Sequence, residues 1–409
     1  MRRSGFEVLV RPFLSIRLDG DFTVGYLPLV TPSPELHQAN VPRLKRSWQV
    51  RITSWDWQTI SLILGIKALL LIFAVQSIST REILTRGWLE IWNQWDAMHY
   101  LRLAEKGYSA TGEERVSLAF FPFYPWLVRA ANLAARNVHL AAFIVSGAAS
   151  VAAGLLLQRL ARLDESRAVA RNAVWFLFIF PTSFFLHIGY TESTFLALTL
   201  GCFFAARTNR WALAGLLGAC AGLTRLNGLM LVPALAVEAF LQYRATRRSN
   251  WGWLWIGAVG LGFLGYLWLN HAVAGDPFAF TSIQSEHWFK KLTPPWVGIR
   301  EVYLRTTGGN AIEGLHELFF IGLLFVFLIW SARRQRLSYA TWIACNLALM
   351  TSTTFIISVP RYALTLFPIF ILMAQSCTQR VLWLGIVSVG SILFLGLYMG
   401  RFVAGYWAF

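Results

Sequence analysis

Charge is scarce in this sequence: Asp, Glu, Lys and Arg make up 14% of its 409 residues, against roughly 25% in soluble domains. Beside a hydrophobic content of 56%, that shortage excludes an ordinary string of soluble domains. Cysteine is rare as well. Cys202, Cys220, Cys345 and Cys377 each sit within or at the end of an apolar stretch, and no two have metal-ligand spacing. They read as small core side chains rather than disulfides or ligands. The first 50 residues lack the compact apolar core and cleavage site of a signal peptide. No repeat of the kind that marks the inverted halves of a secondary transporter is present.

What the sequence has in abundance is apolar stretches able to cross ~30 Å of hydrocarbon. They fall at 58–77, 138–158, 172–189, 193–206, 211–224, 228–243, 253–271, 314–332, 338–357, 362–376 and 381–400. The expected fold is therefore an all-α, polytopic transmembrane bundle of about eleven spans. Residues 1–56 form a basic tail, with a short surface helix expected near Phe6–Ile16, and 57–409 form the membrane domain. The net charge of +16 is spread in short arginine clusters between apolar segments, which points away from nucleic acid and towards topology. Arg159, Arg162, Arg207, Arg244, Arg333 and Arg380 fall in short connectors on one side, whereas the long loops 78–137 and 272–313 are nearly balanced. By the positive-inside rule the tail and short connectors are cytoplasmic and the long loops lie outside. Small residues at helical spacing (Gly147, Ser150, Gly154; Gly215, Gly218, Gly222; Gly257, Gly260, Gly262, Gly265) allow close helix packing.

Polar residues that are costly to bury carry the information in such a chain, and here they gather in and beside the outer loops. The spacing from Trp95 to Lys106 predicts an amphipathic helix with interfacial Trp92, Trp95 and Tyr100. Asp96, His99, Tyr100 and Leu103 share one face at i, i+3, i+4 and i+7. The alternative is that Asp96 merely caps the helix. Phe120-Phe121-Pro122-Phe123-Tyr124-Pro125 predicts extended or turn geometry ahead of the next span. Glu192, in Tyr190-Thr-Glu-Ser193, is either a helix-dipole partner or a binder of sugar or acceptor hydroxyls. Arg225 and Arg361 lie on the outer side and offer planar donor forks suited to a phosphate, unless each is an interface anchor. In the second loop His287 and Trp288, just before Lys290-Lys291, either contact a sugar or form an interfacial aromatic cluster. Lys67, inside the first span, is a buried charge whose side chain either snorkels or finds an internal partner.

Trp95-Asp96-Ala-x-His99-Tyr100, then Ala104-Glu-x-Gly107-Tyr108 and Ala119-Phe-Phe-Pro-x-Tyr-Pro125, resemble the first luminal loop of PIG-V-like mannosyltransferases, which belong to the GT-C class of membrane glycosyltransferases. The resemblance continues in order through Tyr190-Thr-Glu-Ser193, Leu223-Thr-Arg225, Gly275-Asp-Pro277, His287-Trp288 and Pro360-Arg-Tyr362. It implies a GT-C fold and a polyprenyl- or dolichyl-phosphate mannose donor. The acceptor would be a hydroxyl of a glycan, glycolipid or protein outside the cytosol. It further implies inversion at the anomeric carbon, with Asp96 at the position of the first-loop acid. On this reading Asp96 is the catalytic base, with His99, Tyr100, Glu192, His287 and Trp288 around the substrate and Arg225 and Arg361 on the donor phosphate. Asp96 is followed by Ala97 and Met98 where many of the wider class carry a second acid. This departure sets a divalent-metal requirement in question and leaves Glu113 or Glu114 as candidate second acids. A bacterial plasma membrane is the expected location. The competing expectations are a polyprenol-phosphate or glycolipid translocator and an inactive lipid-sugar-binding subunit.

Overall fold

The computed structural model describes residues 53–78, 87–309 and 311–408, with the backbone of 12–15 and 23–26. The chain divides into two compact units at Arg51/Ile52. In the first, β1 (Pro12–Ser15) pairs antiparallel with β2 (Thr23–Tyr26), Pro12 opposite Tyr26. A strand thus replaces the last part of the helix expected near Phe6–Ile16, in keeping with the β-branched and aromatic residues of β2. The remainder of that segment lies outside the described residues.

The second unit is helical. Its first helix, α1 (Ser54–Gln76), opens with a capping box in which Thr53 Oγ1 accepts from the Asp56 N–H and the Asp56 carboxylate accepts from the Thr53 N–H. Among the described residues six helical segments are long and apolar enough to cross a membrane: 54–76, 138–161, 226–246, 251–274, 311–334 and 381–403. The chain is a multi-pass membrane protein. The small-residue stripes bring α7 (Trp211–Gly222) into close contact with α9 (Ala258–Ala274) and the 3₁₀ turn Trp251–Gly257 ahead of it. A Cβ on Gly262 would lie 2.0 Å from the Ala219 carbonyl oxygen, and one on Gly215 2.3 Å from that of Trp255.

Three expected spans are broken, all at the same end of the bundle. The stretch expected to run 172–189 stops at Ile179 as α5 (Arg167–Ile179), because Pro181 cannot continue it. A 3₁₀ turn, Ser183–Leu186, then leads to α6 (Glu192–Arg207). The expected 338–357 ends at Thr351 as α13 (Leu337–Thr351). The expected 362–376 becomes the short α14 (Val359–Ala363), a break, and α15 (Pro368–Cys377). Broken helices free backbone groups that lipid cannot satisfy. Lys67 supplies the remedy for one of them: its ammonium donates to the carbonyls of His187 and Phe143, each at 3.2 Å. Ser150 likewise donates to the Leu186 carbonyl. The two irregular segments meet where Thr182 Oγ1 donates to the Pro360 carbonyl at 3.0 Å.

The long loops are built from short helices. The first contains α2 (Asp96–Lys106), a 3₁₀ turn (Gly112–Ala119) and α3 (Phe123–Ala135). The last of these corrects the turn expected across Pro122–Pro125: the helix starts directly after Pro122, and Pro125 falls in its first turn, where an N–H has no helical partner to lose. The second loop carries α10 (Ala279–Trp288) and α11 (Pro295–Arg305), ahead of α12 (Ala311–Arg334). It is stitched to the broken stretch after α13 through Lys291 and Thr354, whose backbone groups bond at 3.0 Å, and through Thr293 N–H to Ser352 O at 3.1 Å.

Candidate active site

α2 starts abruptly. Trp95, which precedes it, has φ +55°, and no side chain caps the helix. A non-glycine residue in that region stores strain, which is a feature of functional sites. The turn leaves the Asp96 carboxylate free of capping duty: its Oδ2 accepts from Arg361 Nη1 at 2.9 Å. One turn on, Tyr100 is buried at the junction of Phe120, Tyr124 and Tyr190. Burial, reinforced by Asp96, pushes its phenol well above the ordinary value. His99 stacks on Phe120 with ring centres 4.8 Å apart and meets the edge of Trp288 at 6.2 Å. Its desolvation lowers its pKa although Asp96 pulls the other way.

Beneath Asp96 lies Glu192, the first residue of α6, with no exposed surface. Arg225 Nη1 donates to Glu192 Oε1 at 2.6 Å and to Thr191 Oγ1 at 2.9 Å. Arg361 Nε lies 3.2 Å from the same Glu192 oxygen without the alignment of a hydrogen bond, and Glu192 Oε2 has no protein partner. Both arginines are thus anchored by acids while one buried acceptor and one buried donor remain unsatisfied. Structural networks seldom leave such groups unmatched.

These residues border a cavity of ≈ 160 Å³. Asp96, Arg225, Arg361 and Lys290 bring charge to it, while Tyr100, Phe120, Phe121, Trp288, Tyr362 and Trp407 form aromatic walls. Of the residues singled out from sequence, Asp96, Tyr100, Arg225, Arg361 and Trp288 line the cavity. Glu192 does not line the cavity; its Oε1 is held by the two arginines, and its Oε2 has no protein partner. His99 lies behind Phe120, and His287 is exposed and off the cavity wall. Lys290 and Trp407 line the cavity as well, although the sequence alone assigns neither a site role. The lysine pair in a charge-balanced loop was a signal; nothing marked Trp407, which packs edge-on to Trp95 at 5.1 Å. Glu114 forms a surface ion pair with Lys106 at 2.9 Å and does not line the cavity. Among the described residues no three His, Cys, Asp or Glu side chains are grouped to hold a metal ion.

Residues 68–247 match the family model of the mannosyltransferases (PIG-V). The PIG-V match takes in Asp96, His99, Tyr100, Glu192 and Arg225, whereas Lys290, Arg361 and Trp407 lie beyond it. The fold is of the GT-C type. The structure of ArnT from Cupriavidus metallidurans, bound to undecaprenyl phosphate, aligns with a TM-score of 0.55 at 11% identity, over 86% of this chain and 78% of that one. The apo oligosaccharyltransferase of Archaeoglobus fulgidus aligns with a TM-score of 0.45 at 13% identity, over 86% and 57%. None of the curated proteins matches the sequence.

Proposed function

We propose that the chain is a glycosyltransferase that moves a mannosyl or other hexosyl residue from a polyprenyl-phosphate donor to an acceptor hydroxyl on the non-cytoplasmic face. The observation that carries this reading is the contact of Asp96 with Arg361 on the wall of a cavity that also presents Arg225 and Lys290. The family match supports the sugar-transfer chemistry, and the ArnT likeness supports the fold that holds it.

In this mechanism the acceptor oxygen attacks the anomeric carbon from the face opposite the phosphate, and its proton passes to Asp96. The bond from that carbon to the phosphate oxygen breaks, and its electron pair leaves on the polyprenyl phosphate. Positioned proton transfer typically contributes roughly 10²–10⁴-fold. The leaving phosphate gains charge as the bond breaks, which cations placed in advance stabilise most in a water-poor site. Arg361 is suited to that task because it lines the cavity and keeps donors beyond the Nη1 that it gives to Asp96. Lys290 is the cavity cation that forms no ion pair with a carboxylate among the described residues. Three cations against Asp96 and Glu192 leave the site with one net positive charge, which matches a singly charged phosphodiester. The aromatic walls offer faces for the sugar and the first isoprene units.

The deciding experiment uses purified protein in nanodiscs with radiolabelled polyprenyl-phosphate mannose, glucose or arabinose. Wild type is run against Asp96→Asn, with and without chelator. Transfer of label by wild type alone is expected, with donor still bound by the folded variant. Near-normal turnover by Asp96→Asn would remove the base. Donor binding with flipping between leaflets but no transfer would favour a translocator.

A further inference from the structure

We propose that Glu317 is a positioning residue that fixes Arg361 in the cavity by holding the turn on which that arginine is carried; the inference rests on the reading of the cavity as the transfer site. Glu317 belongs to α12, a membrane-spanning helix, and is 1% exposed. A carboxylate in such a place is expensive and rarely without purpose. No cation lies within ion-pair distance of it among the described residues. Both its oxygens are spent on backbone: Oε1 accepts from the Ser358 N–H at 2.6 Å and Oε2 from the Val359 N–H at 2.9 Å.

Those two amides open α14, and Arg361 follows two residues later. Ser358 has φ +71°, a left-handed conformation that a serine adopts only when its surroundings impose it. Glu317 is one imposition. Arg305 on α11 is another, since its guanidinium donates to the Ile356 carbonyl. Thr182 holds the Pro360 carbonyl from the opposite side. Three side chains from three separate elements thus fix 356–360, and Arg361 emerges from that fixed turn to reach Asp96 and Glu192. Glu317 itself does not line the cavity, so it acts through Arg361 and touches no reacting atom. A displacement of about 1 Å at a catalytic contact is enough to cost about 10²-fold in rate.

The test takes Glu317→Gln, which keeps one acceptor, and Glu317→Leu, which keeps neither but preserves apolar volume. Both are made in wild type and in Arg361→Lys. Turnover with the polyprenyl-phosphate sugar and hydrogen exchange over 355–363 are measured in nanodiscs. The expected result is a fall in kcat of about 10²-fold for Glu317→Leu with a smaller fall for Glu317→Gln. Exchange should quicken over 355–363 and nowhere else. In the Arg361→Lys background the second substitution should cost little more, since residues acting as one unit are not additive. Folded Glu317 variants with native protection over 355–363 overturn the proposal whatever their turnover. So do losses that add in full to that of Arg361→Lys. If wild type itself transfers no sugar, the transfer reading fails, and the exchange pattern still decides whether Glu317 holds the turn.

Discussion

The two ends of α6 carry the same arrangement of charges put to different uses. At its start, Glu192 is shared by Arg225 and Arg361. At its end, Arg207 joins Arg336 around Glu238 of α8 (Leu231–Thr246), which is also fully buried. At the Arg207 end no fully buried side-chain atom lacks a partner, although Arg207 Nε stands 3.7 Å from Glu238 Oε1. Glu238 accepts from Arg336 Nη2 and Ser338 Oγ at 2.8 Å and from Arg336 Nε and Gln242 at 3.1 Å. Arg207 makes a two-pronged pair with Asp164 at 2.8 Å and reaches the Tyr339 hydroxyl at 2.9 Å. At the Glu192 end one carboxylate oxygen has no partner, one guanidinium N–H is misaligned, and a cavity adjoins. A saturated network locks helices together; an unsaturated one beside a cavity retains capacity for a ligand. The distinction between a scaffold and a site therefore lies in what is left unbonded, since the residue types are the same.

Exchanging the two acids for amides breaks the comparison most severely. Glu192→Gln removes the common anchor of both cavity arginines, and turnover should fall by about 10²-fold or more through misplacement of Arg225 and Arg361. Glu238→Gln leaves Arg336 and Arg207 partly uncompensated, so its cost should appear as about 3–5 kcal/mol of stability. Its kcat per folded molecule should stay native. Thermal unfolding in nanodiscs beside active-site-normalised turnover checks both. A Glu238→Gln enzyme that is stable but slow would show that the Arg207 end is coupled to the chemistry.

Much of this was legible in sequence wherever the signal was local. The face shared by Asp96, Tyr100 and Leu103 follows from helical spacing, and Arg225 and Arg361 stand out as isolated cations between apolar segments. What was hidden depends on chain folding over long separations. Glu317 shows no motif, because its partners are backbone amides of residues 41 and 42 positions away. The role of Lys67 required the break after Ile179, which hydropathy smooths over, since Phe180–Leu186 is as apolar as a helix would be. Pro125 suppressed the expectation of α3, although proline is tolerated in a first turn. Trp407 reaches the cavity only because Gly405, with φ +82°, turns the segment after α16 (Val381–Val403) back towards Trp95.

A smaller effect separates the cavity cations from one another. Arg225 and Arg361 are each neutralised by an acid, and Lys290 is not, so Lys290 should contribute to donor capture more than to the chemical step. Lys290→Met is expected to raise the apparent KM for the lipid donor about tenfold, about 1.4 kcal/mol, with kcat nearly unchanged. Arg361→Lys should show the reverse emphasis. Steady-state kinetics over a donor series in one nanodisc composition distinguishes them. Equal losses of kcat and KM in both variants would merge the two roles.

The smallest expected effect concerns His99, which shares a helix face with Asp96 yet stands behind Phe120. Burial depresses its pKa, so the ring is neutral at physiological pH and offers no charge to a phosphate. The sign of its pH linkage follows. The fold disfavours the imidazolium, so the full stability is present above the unfolded value of about 6.5 and is lost as pH falls through the depressed folded value. His99→Phe keeps the stacking on Phe120 and the edge contact with Trp288 but cannot titrate. It should turn over within about twofold of wild type from pH 7 to 9 and resist unfolding better than wild type below about pH 6. If instead turnover collapses across the whole range, the imidazole does more than stack, and the acid of the site has a second partner on its own helix.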